Sequence, residues 1–458
     1  MIGRDYPRQE NKGEGRSRGS IGPGPVAGVL GLLIVVLQIP ALYGDSPLTK
    51  VRVDEKRIDL RIKKLSEFGR NPDGGVSRVA FSQADLEGRN YVSGLMREAG
   101  LKVRVDPAGN IIGHRQGAEP DLPVIMFGSH IDSVPHGGNY DGDVGVIASI
   151  ECAQVLLEHG IVTRHPLEVI VFSDEEGGLV GSRSLVGGLS QEALEIVGHS
   201  GKTIREGIGF IGGDAEKLAD ARYRRGEIKA FIELHIEQGS ILFDEGTQIG
   251  VVEGIVGIKW WDVTVDGFAN HAGTTPMDRR RDALIAAAQL TLAINRVVTA
   301  EPGRQVGTVG RIQAEPGAPN VIPGRVLMSL ELRDLSAEKI DMLFNRIREE
   351  AVSIARETGT QITFESIDAT AVPAPTDERM RRIIAEGARS LGLTTKMMPS
   401  GAGHDAQDMA RIAPTGMIFV PSVDGISHSP EEFTRPEDMA NGANVLLQTI
   451  LQIDRGEL

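Results

Sequence analysis

One stretch sets the expected fold of the chain: PVIMFGSHIDSVPHGGNYDGDVGVIASIECAQVLLEHG, residues 123–160. Its first six residues, 123–128, form a short apolar run, which is typical of a buried strand. Residues 144–160 place apolar side chains three and four positions apart and end in glycine, so they predict a helix. The glycine-rich loop between these elements carries His130, Asp132 and Asp141. A strand, a polar loop and a helix in this order predict an α/β unit with a binding site on the loop.

The same two patterns alternate along much of the chain. Residues 84–100 show helical periodicity, and three further apolar runs predict buried strands at residues 167–172, 230–234 and 415–420. Helices that alternate with buried strands indicate an α/β sheet covered by helices on both faces.

The middle of the chain follows a different order. Strand, helix, two strands, helix and strand patterns span residues 255–368, which is the split β-α-β-β-α-β arrangement of a small ferredoxin-like domain. QVGTVGRIQAE (305–315) is predicted as one of its strands. The α/β pattern resumes at residues 376–392, so this domain is predicted to be inserted into a main domain formed by residues 46–254 and 369–458.

The N-terminal residues 1–45 are set apart by composition. A polar region with five arginine or lysine residues precedes Val26–Gly44, an uncharged and mostly apolar run interrupted by Pro40. A basic region followed by such a run predicts an export signal, with a retained membrane anchor or a mis-assigned start codon as alternatives. We therefore expect a periplasmic or cell-envelope protein, with a cytoplasmic location as the alternative and membrane contact only through this segment if it is not cleaved.

Length, net charge and cysteine content limit the class of protein. The chain of 458 residues is too long for one compact core and fits two domains. Its net charge of −14 repels phosphate and argues against nucleic acid as a partner. Its single cysteine, Cys152, rules out a disulfide framework within the chain.

Polar residues with metal-binding chemistry follow each of the four predicted buried strands. In chain order they are His130, Asp132, Asp141, Asp174, Glu175, Glu176, His235, Glu237, Gln238, Ser427, His428 and Glu431. Ligands of open α/β sheets gather outside the carboxyl ends of the strands, so these groups should meet at one edge. Histidine with carboxylate is the donor set of a two-metal site, with Zn²⁺ favoured and Mn²⁺, Co²⁺ or Ni²⁺ as other occupants.

The residue types suggest individual roles at such a site. Asp141, among glycines, is predicted to bridge the two ions. Asp132, two residues from His130, is predicted to hold the other N–H of the His130 ring and so orient it. Of the adjacent Glu175 and Glu176, one can bind a metal while the other acts as a general base toward the bridging water.

Seven motifs in fixed order extend this interpretation to a known family. They are GSHIDSVPHGGNYDG, SDEEGG, ELHIEQG, ANHAGTTPM, PNVIPG, SGAGHDA and GISHSPEE, and they span roughly residues 50–455. The chain resembles the hydantoinase/carbamoylase branch of the dinuclear-zinc aminoacylase and carboxypeptidase-type amidohydrolases. The resemblance implies a zinc-exopeptidase-like catalytic domain with a mixed sheet and an inserted ferredoxin-like lid that also forms a homodimer. EEGGLVGSRSLVGG is shorter here than the corresponding segment in many members of the family.

The resemblance also implies roles for matching residues. One metal would be held by His130, Asp141 and His235, and the other by Asp141, Glu176 and His428, with Glu175 as the base. His271 and Asn320 would stabilise the oxyanion, and His271 would enter the site of the partner subunit. Substrate contacts would come from Gln238, Arg333, Gly403 and His404.

These roles predict a metal-dependent amidohydrolase that cleaves a carbamoyl or ureido C–N bond in a small carboxylic acid. N-carbamoyl-L-amino acids are the first choice of substrate, giving amino acid, CO₂ and ammonia. Allantoate is the alternative, and an aminoacylase or dipeptidase is a weaker one. An exported metal- or solute-binding protein without catalysis is a different class, which would have no need of the base Glu175.

Overall fold

The computed structural model describes residues 51–458, apart from the side chains of residues 368–370. The predicted export segment, residues 1–45, lies outside the described residues. The strands are β1 (Lys102–Val105), β2 (Ile111–Arg115), β3 (Val124–His130), β4 (Leu167–Phe172), β5 (Ile228–Ile236), β6 (Ile249–Ile255), β7 (Gly257–Asp266), β8 (Asn270–His271), β9 (Val306–Thr308), β10 (Ile312–Glu315), β11 (Val321–Ile322), β12 (Arg325–Asp334), β13 (Gln361–Ala371), β14 (Ala374–Pro375), β15 (Thr395–Ser400) and β16 (Thr415–Val420). The α-helices are α1 (Glu55–Leu65), α2 (Gln83–Glu98), α3 (Asp143–Glu158), α4 (Glu175–Gly178), α5 (Val180–Leu185), α6 (Ile204–Phe210), α7 (Ile241–Glu245), α8 (Ala283–Ala300), α9 (Ala337–Thr358), α10 (Glu378–Ser390), α11 (Asp405–Met409) and α12 (Pro436–Asp454).

A nine-stranded mixed sheet is the centre of the molecule. Its order is β1-β2-β4-β3-β5-β16-β6-β14, and β15 pairs with β6. The four central strands β4, β3, β5 and β16 are parallel to one another, while β1, β2, β6 and β14 join by antiparallel pairs. The predicted α/β class is confirmed. The parallel arrangement places the carboxyl ends of β3, β4, β5 and β16 along one edge, where the polar motifs follow.

Both faces of this sheet are buried because its strands are apolar at nearly every position. Along β3, Ile125 and Phe127 pack against one hydrophobic core while Met126 packs into another on the opposite face. Helices α1, α3 and α12 contact one another beside the first core. Continuous apolar runs of this kind are what a doubly covered parallel sheet requires.

A second, antiparallel sheet is formed by the middle of the chain. Its order is β10-β12-β7-β13, with β9 also paired to β12, and helices α8 and α9 pack on one face over a separate hydrophobic core. Apart from the short paired strands β8 and β11, and with β9 and β10 counted as one interrupted strand, the elements follow the order β-α-β-β-α-β along the chain. Residues Pro47–Leu458 form one compact unit, so the limits 255 and 368 of a separate lid domain stay a prediction.

The segment 305–315 differs from its prediction as one strand. It forms β9 and β10, which both pair with β12. Thr308 lies opposite Glu331 and Ile312 opposite Met328, so four steps along one strand match three along the other. The extra residue is a bulge near Gly310, and it interrupts the ladder.

Helix α8 is, within residues 51–458, the one helix long and apolar enough to span a membrane by length and composition. Its inner face explains this composition, because Ala286, Leu290 and Ile294 are fully buried in the core of the second sheet. On its outer face, Ile285 and Leu292 are exposed.

Candidate metal centre and substrate site

The ends of the central strands bring the predicted metal ligands together. His130 is the last residue of β3, and His235 lies one residue before the end of the neighbouring β5. Their rings stack with centroids 5.7 Å apart. Asp141 precedes α3, and Glu176 lies in the first turn of α4, directly beyond β4. The strand order therefore gathers residues that are up to 300 positions apart in the chain.

Gly142 allows the loop of Asp141 to reach the histidines. Its φ of 67° is left-handed, and a Cβ at this position would lie 2.5 Å from the His130 ring. Only glycine fits both the backbone conformation and the close approach. The glycine-rich loop thus has a specific use at this position, which is to bring the Asp141 carboxylate against two buried imidazoles.

The two oxygens of Asp141 face two different groups of side chains. Oδ1 lies 3.1 Å from His235 Nε2 and 3.5 Å from His130 Nε2. Oδ2 lies 3.2 Å from His428 Nε2, which is itself 3.5 Å from Glu176 Oε1. One carboxylate is therefore shared between two sets of three potential ligands, as predicted for a bridging residue.

These separations fit the size of a divalent transition metal. Tetrahedral ligands about 2.0–2.1 Å from a zinc ion lie about 3.3 Å from one another. All ligand atoms within each set lie within 4.8 Å of one another. In addition, His130 Nε2 and Glu176 Oε1 are buried without a hydrogen-bond partner, although buried polar atoms are normally paired. Both sets of residues therefore fit a metal ion.

Glu175 lies beside the first set without belonging to it. Its Oε2 is 3.8 Å from His130 Nε2, and its side chain is largely buried. Burial raises its pKa well above the usual range, and the nearby carboxylates Asp405 and Glu176 add to this effect. Burial and Asp141 likewise raise the pKa of Glu176 to about 7. A carboxylate with a raised pKa is suited to accept a proton during a reaction.

The pKa values of the imidazoles are raised for a different reason, which is the nearby carboxylates. A hydrogen bond with Asp141 raises the pKa of His428 to about 9. Burial opposes the charging of His130, but Glu175 and Asp141 outweigh it and raise its pKa. In turn the histidines hold the pKa of Asp141 well below its usual range although the residue is buried. A bound cation would take over the role of these protons, leaving neutral imidazoles and ionised carboxylates.

Asp132 contacts the His130 ring as predicted, and it does so through its backbone. His130 Nδ1 lies 3.0 Å from the backbone carbonyl oxygen of Asp132, and 3.7 Å from its carboxylate. The carboxylate accepts hydrogen bonds from the backbone N–H groups of Glu175 and Glu176, at 3.2 and 3.1 Å. Asp132 therefore contacts the His130 ring with its carbonyl and the start of α4 with its side chain.

Gln238 and His404, two predicted substrate contacts, lie next to the metal ligands. Gln238 Nε2 donates to Asp141 Oδ2 at 2.6 Å. His404 is only 1 % exposed, with its ring centroid 4.5 Å from that of His235 and its Nε2 2.9 Å from Ser400 Oγ. The His404 ring therefore packs against the His235 ring, whereas Gly403, on the same loop, is exposed.

Arg333 connects the second sheet to that loop. Its Nη1 donates to the carbonyl oxygen of Gly401 at 2.6 Å, and its Nε donates to Glu331 at 2.8 Å. The predicted carboxylate clamp thus lies at the contact between the two sheets, and its side chain is about a quarter exposed.

His271 and Asn320 meet each other but do not reach the metal ligands. They lie at the paired strands β8 and β11, where the Ala272 N–H donates to the Asn320 carbonyl at 3.0 Å. Both side chains are exposed. His271 Nδ1 accepts from the N–H groups of Gly273 and Thr274. Within residues 51–458, the hydrogen bonds of the His271 side chain are made to this turn.

Glu432 is a site residue that the sequence analysis missed. It is 3 % exposed, and its Oε1 accepts from the N–H groups of Tyr140 and Asp141 at 2.9 and 3.0 Å. Its Oε2 accepts from Ser427 Oγ at 2.8 Å and from the His428 N–H at 3.3 Å. One carboxylate thus ties together the loops that carry two ligands. The adjacent Glu431, named from the sequence, is exposed.

Glu233 was also missed, and it had a visible signal. It is a carboxylate in the otherwise apolar run of β5 and is fully buried. It accepts hydrogen bonds from Ser129 Oγ at 2.7 Å and from the Ala406 N–H at 2.9 Å. A charged residue inside a buried strand needs such partners, so its position alone could have marked it.

Comparisons with known proteins agree with this geometry. The family model described as peptidase family M20/M25/M40 matches residues 126–452. The chain is 43 % identical over 410 residues to an N-carbamoyl-L-amino acid amidohydrolase of Geobacillus stearothermophilus, covering 88 % of this chain and 100 % of that protein. It is 39 % identical to a ureidoglycolate hydrolase of Arabidopsis thaliana, covering 90 % of each chain.

A further relative and a solved structure are also similar to this chain. An allantoate amidohydrolase of Bacillus subtilis is 34 % identical, over 86 % of this chain and 96 % of that protein. The crystal structure of a hydantoinase/carbamoylase family amidase from Burkholderia multivorans superposes with a TM-score of 0.82 at 37 % identity, covering 88 % of this chain and 98 % of that one.

Proposed function

Because the chain belongs to peptidase family M20/M25/M40 and is an amidohydrolase of the hydantoinase/carbamoylase branch, we propose that it hydrolyses N-carbamoyl-L-amino acids to amino acid, CO₂ and ammonia. The family resemblance inferred from the seven motifs is confirmed. The observation that carries the proposal is the shared carboxylate of Asp141, with two sets of metal ligands on its two oxygens and Glu175 beside them.

The proposed cofactor is a pair of divalent ions, Zn²⁺ in the first place, with Mn²⁺, Co²⁺ or Ni²⁺ as other occupants. His130, Asp141 and His235 would hold one ion, and Asp141, Glu176 and His428 the other. When bound, such a pair lowers the pKa of a shared water molecule and polarises the substrate carbonyl, which a resonance-stabilised ureido group requires.

Glu175 is proposed to move the proton of this reaction. Its buried carboxylate has a raised pKa and lies 3.8 Å from His130, close to both ligand sets without completing either. It would take a proton from the attacking water and deliver it to the leaving nitrogen. The backbone N–H groups of Glu175 and Glu176 donate to the Asp132 carboxylate, which holds the start of α4 that carries this side chain.

Arg333 and Gln238 are proposed to hold the carboxylate of the substrate. A guanidinium binds a carboxylate through two parallel hydrogen bonds, which an ammonium cannot reproduce. The contact of Arg333 with Gly401 places it over the loop beside His235, and Gln238 already reaches Asp141. The exposed Gly403 on that loop would contribute backbone contacts.

His271 and Asn320 are proposed to stabilise the oxyanion from the partner subunit of a homodimer. Their exposure and mutual contact leave them free to bind across an interface. The apolar residues Ile285 and Leu292 on the outer face of α8, and Val352 on α9, support an interface on the same sheet. A two-fold dimer would let each subunit complete the site of the other.

Allantoate remains the second candidate substrate, because a relative that is 34 % identical bears that activity in its name and a plant relative is named for ureidoglycolate. All these compounds join a ureido group to a carboxylate, so the same centre could act on each. An exported location is also proposed from residues 26–44 alone, with a cytoplasmic one as the alternative.

A substrate panel tests the proposal. Residues 46–458, loaded with Zn²⁺ or Mn²⁺, should release ammonia from N-carbamoyl-L-amino acids faster than from allantoate, ureidoglycolate or N-carbamoyl-D-amino acids. Dipeptides and N-acetyl-amino acids should be the poorest substrates. Higher kcat/KM on allantoate would replace the first candidate by the second, and higher kcat/KM on dipeptides would contradict both.

A further inference from the structure

We propose that Glu331 is the positioning residue that aims the guanidinium of Arg333 at the carboxylate of the substrate, an inference that rests on the proposed function for the identity of that carboxylate. Glu331 and Arg333 lie two positions apart on β12, so both point to the sheet face not covered by α8 and α9. None of the sequence motifs includes Glu331.

The contact between the two side chains is bidentate. Arg333 Nε donates to Glu331 Oε1 at 2.8 Å, and Arg333 Nη2 donates to Glu331 Oε2 at 3.2 Å. The planar fork of the guanidinium is therefore held along one edge by a carboxylate of its own strand. Such a contact removes rotation about the last bonds of the arginine side chain before any substrate arrives.

Two further contacts hold this pair in place. Trp260 lies opposite Glu331 across the β7–β12 ladder, and its Nε1 donates to Glu331 Oε2 at 2.5 Å. On the other side, Arg333 Nη1 donates to the Gly401 carbonyl at 2.6 Å. Trp260 and Glu331 also line a cavity of about 330 Å³, on the side of Glu331 away from Arg333.

Counting donors shows what is left for a ligand. A guanidinium has five N–H donors, and these contacts use three of them: one on Nε, one on Nη1 and one on Nη2. The remaining two lie one on each terminal nitrogen, and donors on two nitrogens of a guanidinium can bind the two oxygens of a carboxylate. Glu331 therefore binds Nε and Nη2 and leaves one donor on each terminal nitrogen for a ligand.

The energetic consequence is preorganisation. Immobilising an arginine side chain when a ligand binds lowers the affinity for that ligand. The contact with Glu331 immobilises Arg333 already when the sheet forms, so a carboxylate ligand binds a guanidinium that already has its direction.

The decisive variants are Glu331→Gln and Trp260→Phe. Glutamine keeps the shape but replaces one acceptor oxygen by an N–H₂ group that faces the guanidinium. Phenylalanine removes the indole donor and keeps an aromatic ring, although a smaller one. The matched control is Asp266→Asn, which alters an exposed partner of Arg325 on the same two strands. Arg333→Lys gives the reference for a lost clamp.

Kinetics are compared between an N-carbamoyl-L-amino acid and its carboxamide. Glu331→Gln should raise KM for the acid about tenfold and leave kcat and the KM for the amide within about twofold, since only the positioned fork is lost. Trp260→Phe should act in the same direction more weakly, and Asp266→Asn should change neither substrate. Equal losses for acid and amide in Glu331→Gln would overturn the inference.

A second measurement does not depend on the substrate. Phenylglyoxal modifies free arginine side chains, and peptide mass spectrometry follows the rate at Arg333. The rate should rise severalfold in Glu331→Gln and stay at the wild-type value in Asp266→Asn. If the wild type hydrolyses no member of the panel yet this difference appears, the proposed function fails and the positioning role stands. An unchanged rate at Arg333 in Glu331→Gln overturns the positioning role whatever the substrate.

Discussion

The cluster around Asp141 and the pair His271–Asn320 carry similar chemistry in contrasting settings. The cluster lies at the carboxyl ends of four parallel strands, with His130, Asp141 and His235 buried and His428 exposed, and its predicted ligands contact one another within the chain. The pair lies at two short strands on the surface, and the His271 side chain contacts its own turn. Folding of the chain thus brings the predicted metal ligands together, whereas the proposed oxyanion role of the pair requires a further approach to that cluster.

The physical reason lies in the cost of burial. Asp141, Glu175 and Glu176 are carboxylates removed from water, and such groups are stable only with hydrogen bonds or opposite charges. The histidines and Gln238 provide such partners for the Asp141 carboxylate. Asp132 and Glu432 instead hold the loops of the site, because they accept hydrogen bonds from backbone N–H groups. An exposed histidine needs no such support, so His271 can lie on a surface turn at little cost in stability.

Removing the base should have the largest effect. Glu175→Gln should lower kcat by about 10³- to 10⁴-fold, because an amide cannot accept the proton of the water. The metal content, measured by plasma emission spectrometry after gel filtration, should stay at the wild-type value, since Glu175 completes neither ligand set. A variant with near-normal kcat would show that the cluster works without this carboxylate.

The contrast with the surface pair is tested by His271→Ala. Loss of one oxyanion donor should lower kcat by about 10²- to 10³-fold with full metal content. If His271 acts across a dimer, co-expressing Glu175→Gln and His271→Ala chains should give mixed dimers with one intact site. Random mixing makes about half of the dimers mixed, so about a quarter of wild-type activity should return. Mixed dimers isolated with two affinity tags that remain inactive would place His271 in its own chain's site or outside catalysis.

A variant of Glu432 tests whether the carboxylate that joins the loops of Asp141 and His428 contributes to metal affinity. Glu432→Gln should weaken binding of at least one metal by about 10- to 100-fold, because the loops of Asp141 and His428 lose their common acceptor. Metal affinity is measured by competition with a chromophoric chelator. Glu431→Gln is the matched control, since the neighbouring carboxylate is exposed and should leave the affinity unchanged. Equal affinities in both variants would show that the cluster does not depend on this tie.

The smallest effect concerns a buried carboxylate outside the ligand sets. Burial raises the pKa of Asp85 to about 6, although Arg89 opposes this. Since the usual value in an unfolded chain is about 3.9, the protonated form is favoured by folding. The stabilising contribution is full below pH 4 and is lost as the pH rises through about 6.

Asp85→Asn removes this dependence while the amide oxygen can still accept from the Phe81 N–H. The Tm of the variant relative to wild type should therefore increase by about 2–4 °C between pH 4.5 and pH 7.5. Differential scanning calorimetry of both proteins with and without Zn²⁺ should give the same difference, because Asp85 binds no metal in the proposed centre. A relative Tm that falls with increasing pH would contradict the assigned direction.

Local pattern predicted the sheet well where the strands are buried on both faces. Residues 167–172 and 415–420 form strands with the predicted limits, since nothing but burial decides them. The meeting of His130 with His235 was predicted from the rule for ligands at strand ends, whereas the order of the strands in the sheet was not predicted. The bulge between β9 and β10 was not visible, because it depends on the register of both with β12.

The local sequence pattern could not predict the finer geometry of the site, for a different reason. Glu431 and Glu432 are chemically identical neighbours, and only the path of the loop decides which one turns inward. The contact of Asp132 with His130 was predicted from their spacing, but not that the backbone carbonyl makes it. Spacing along the chain does not determine which oxygen of a residue lies nearer to a neighbouring ring.

The place of β16 between β5 and β6 has a consequence for biosynthesis. This strand fills the centre of the main sheet but leaves the ribosome about 160 residues after β6, together with the His428 that follows it. Until then β5 and β6 present open edges, which are templates for pairing with other chains. We expect chains truncated before residue 415 to aggregate rather than accumulate as soluble intermediates, and sedimentation of such truncated chains would test this. The second ligand set around Asp141 would then become complete only when nearly the whole polypeptide has been made.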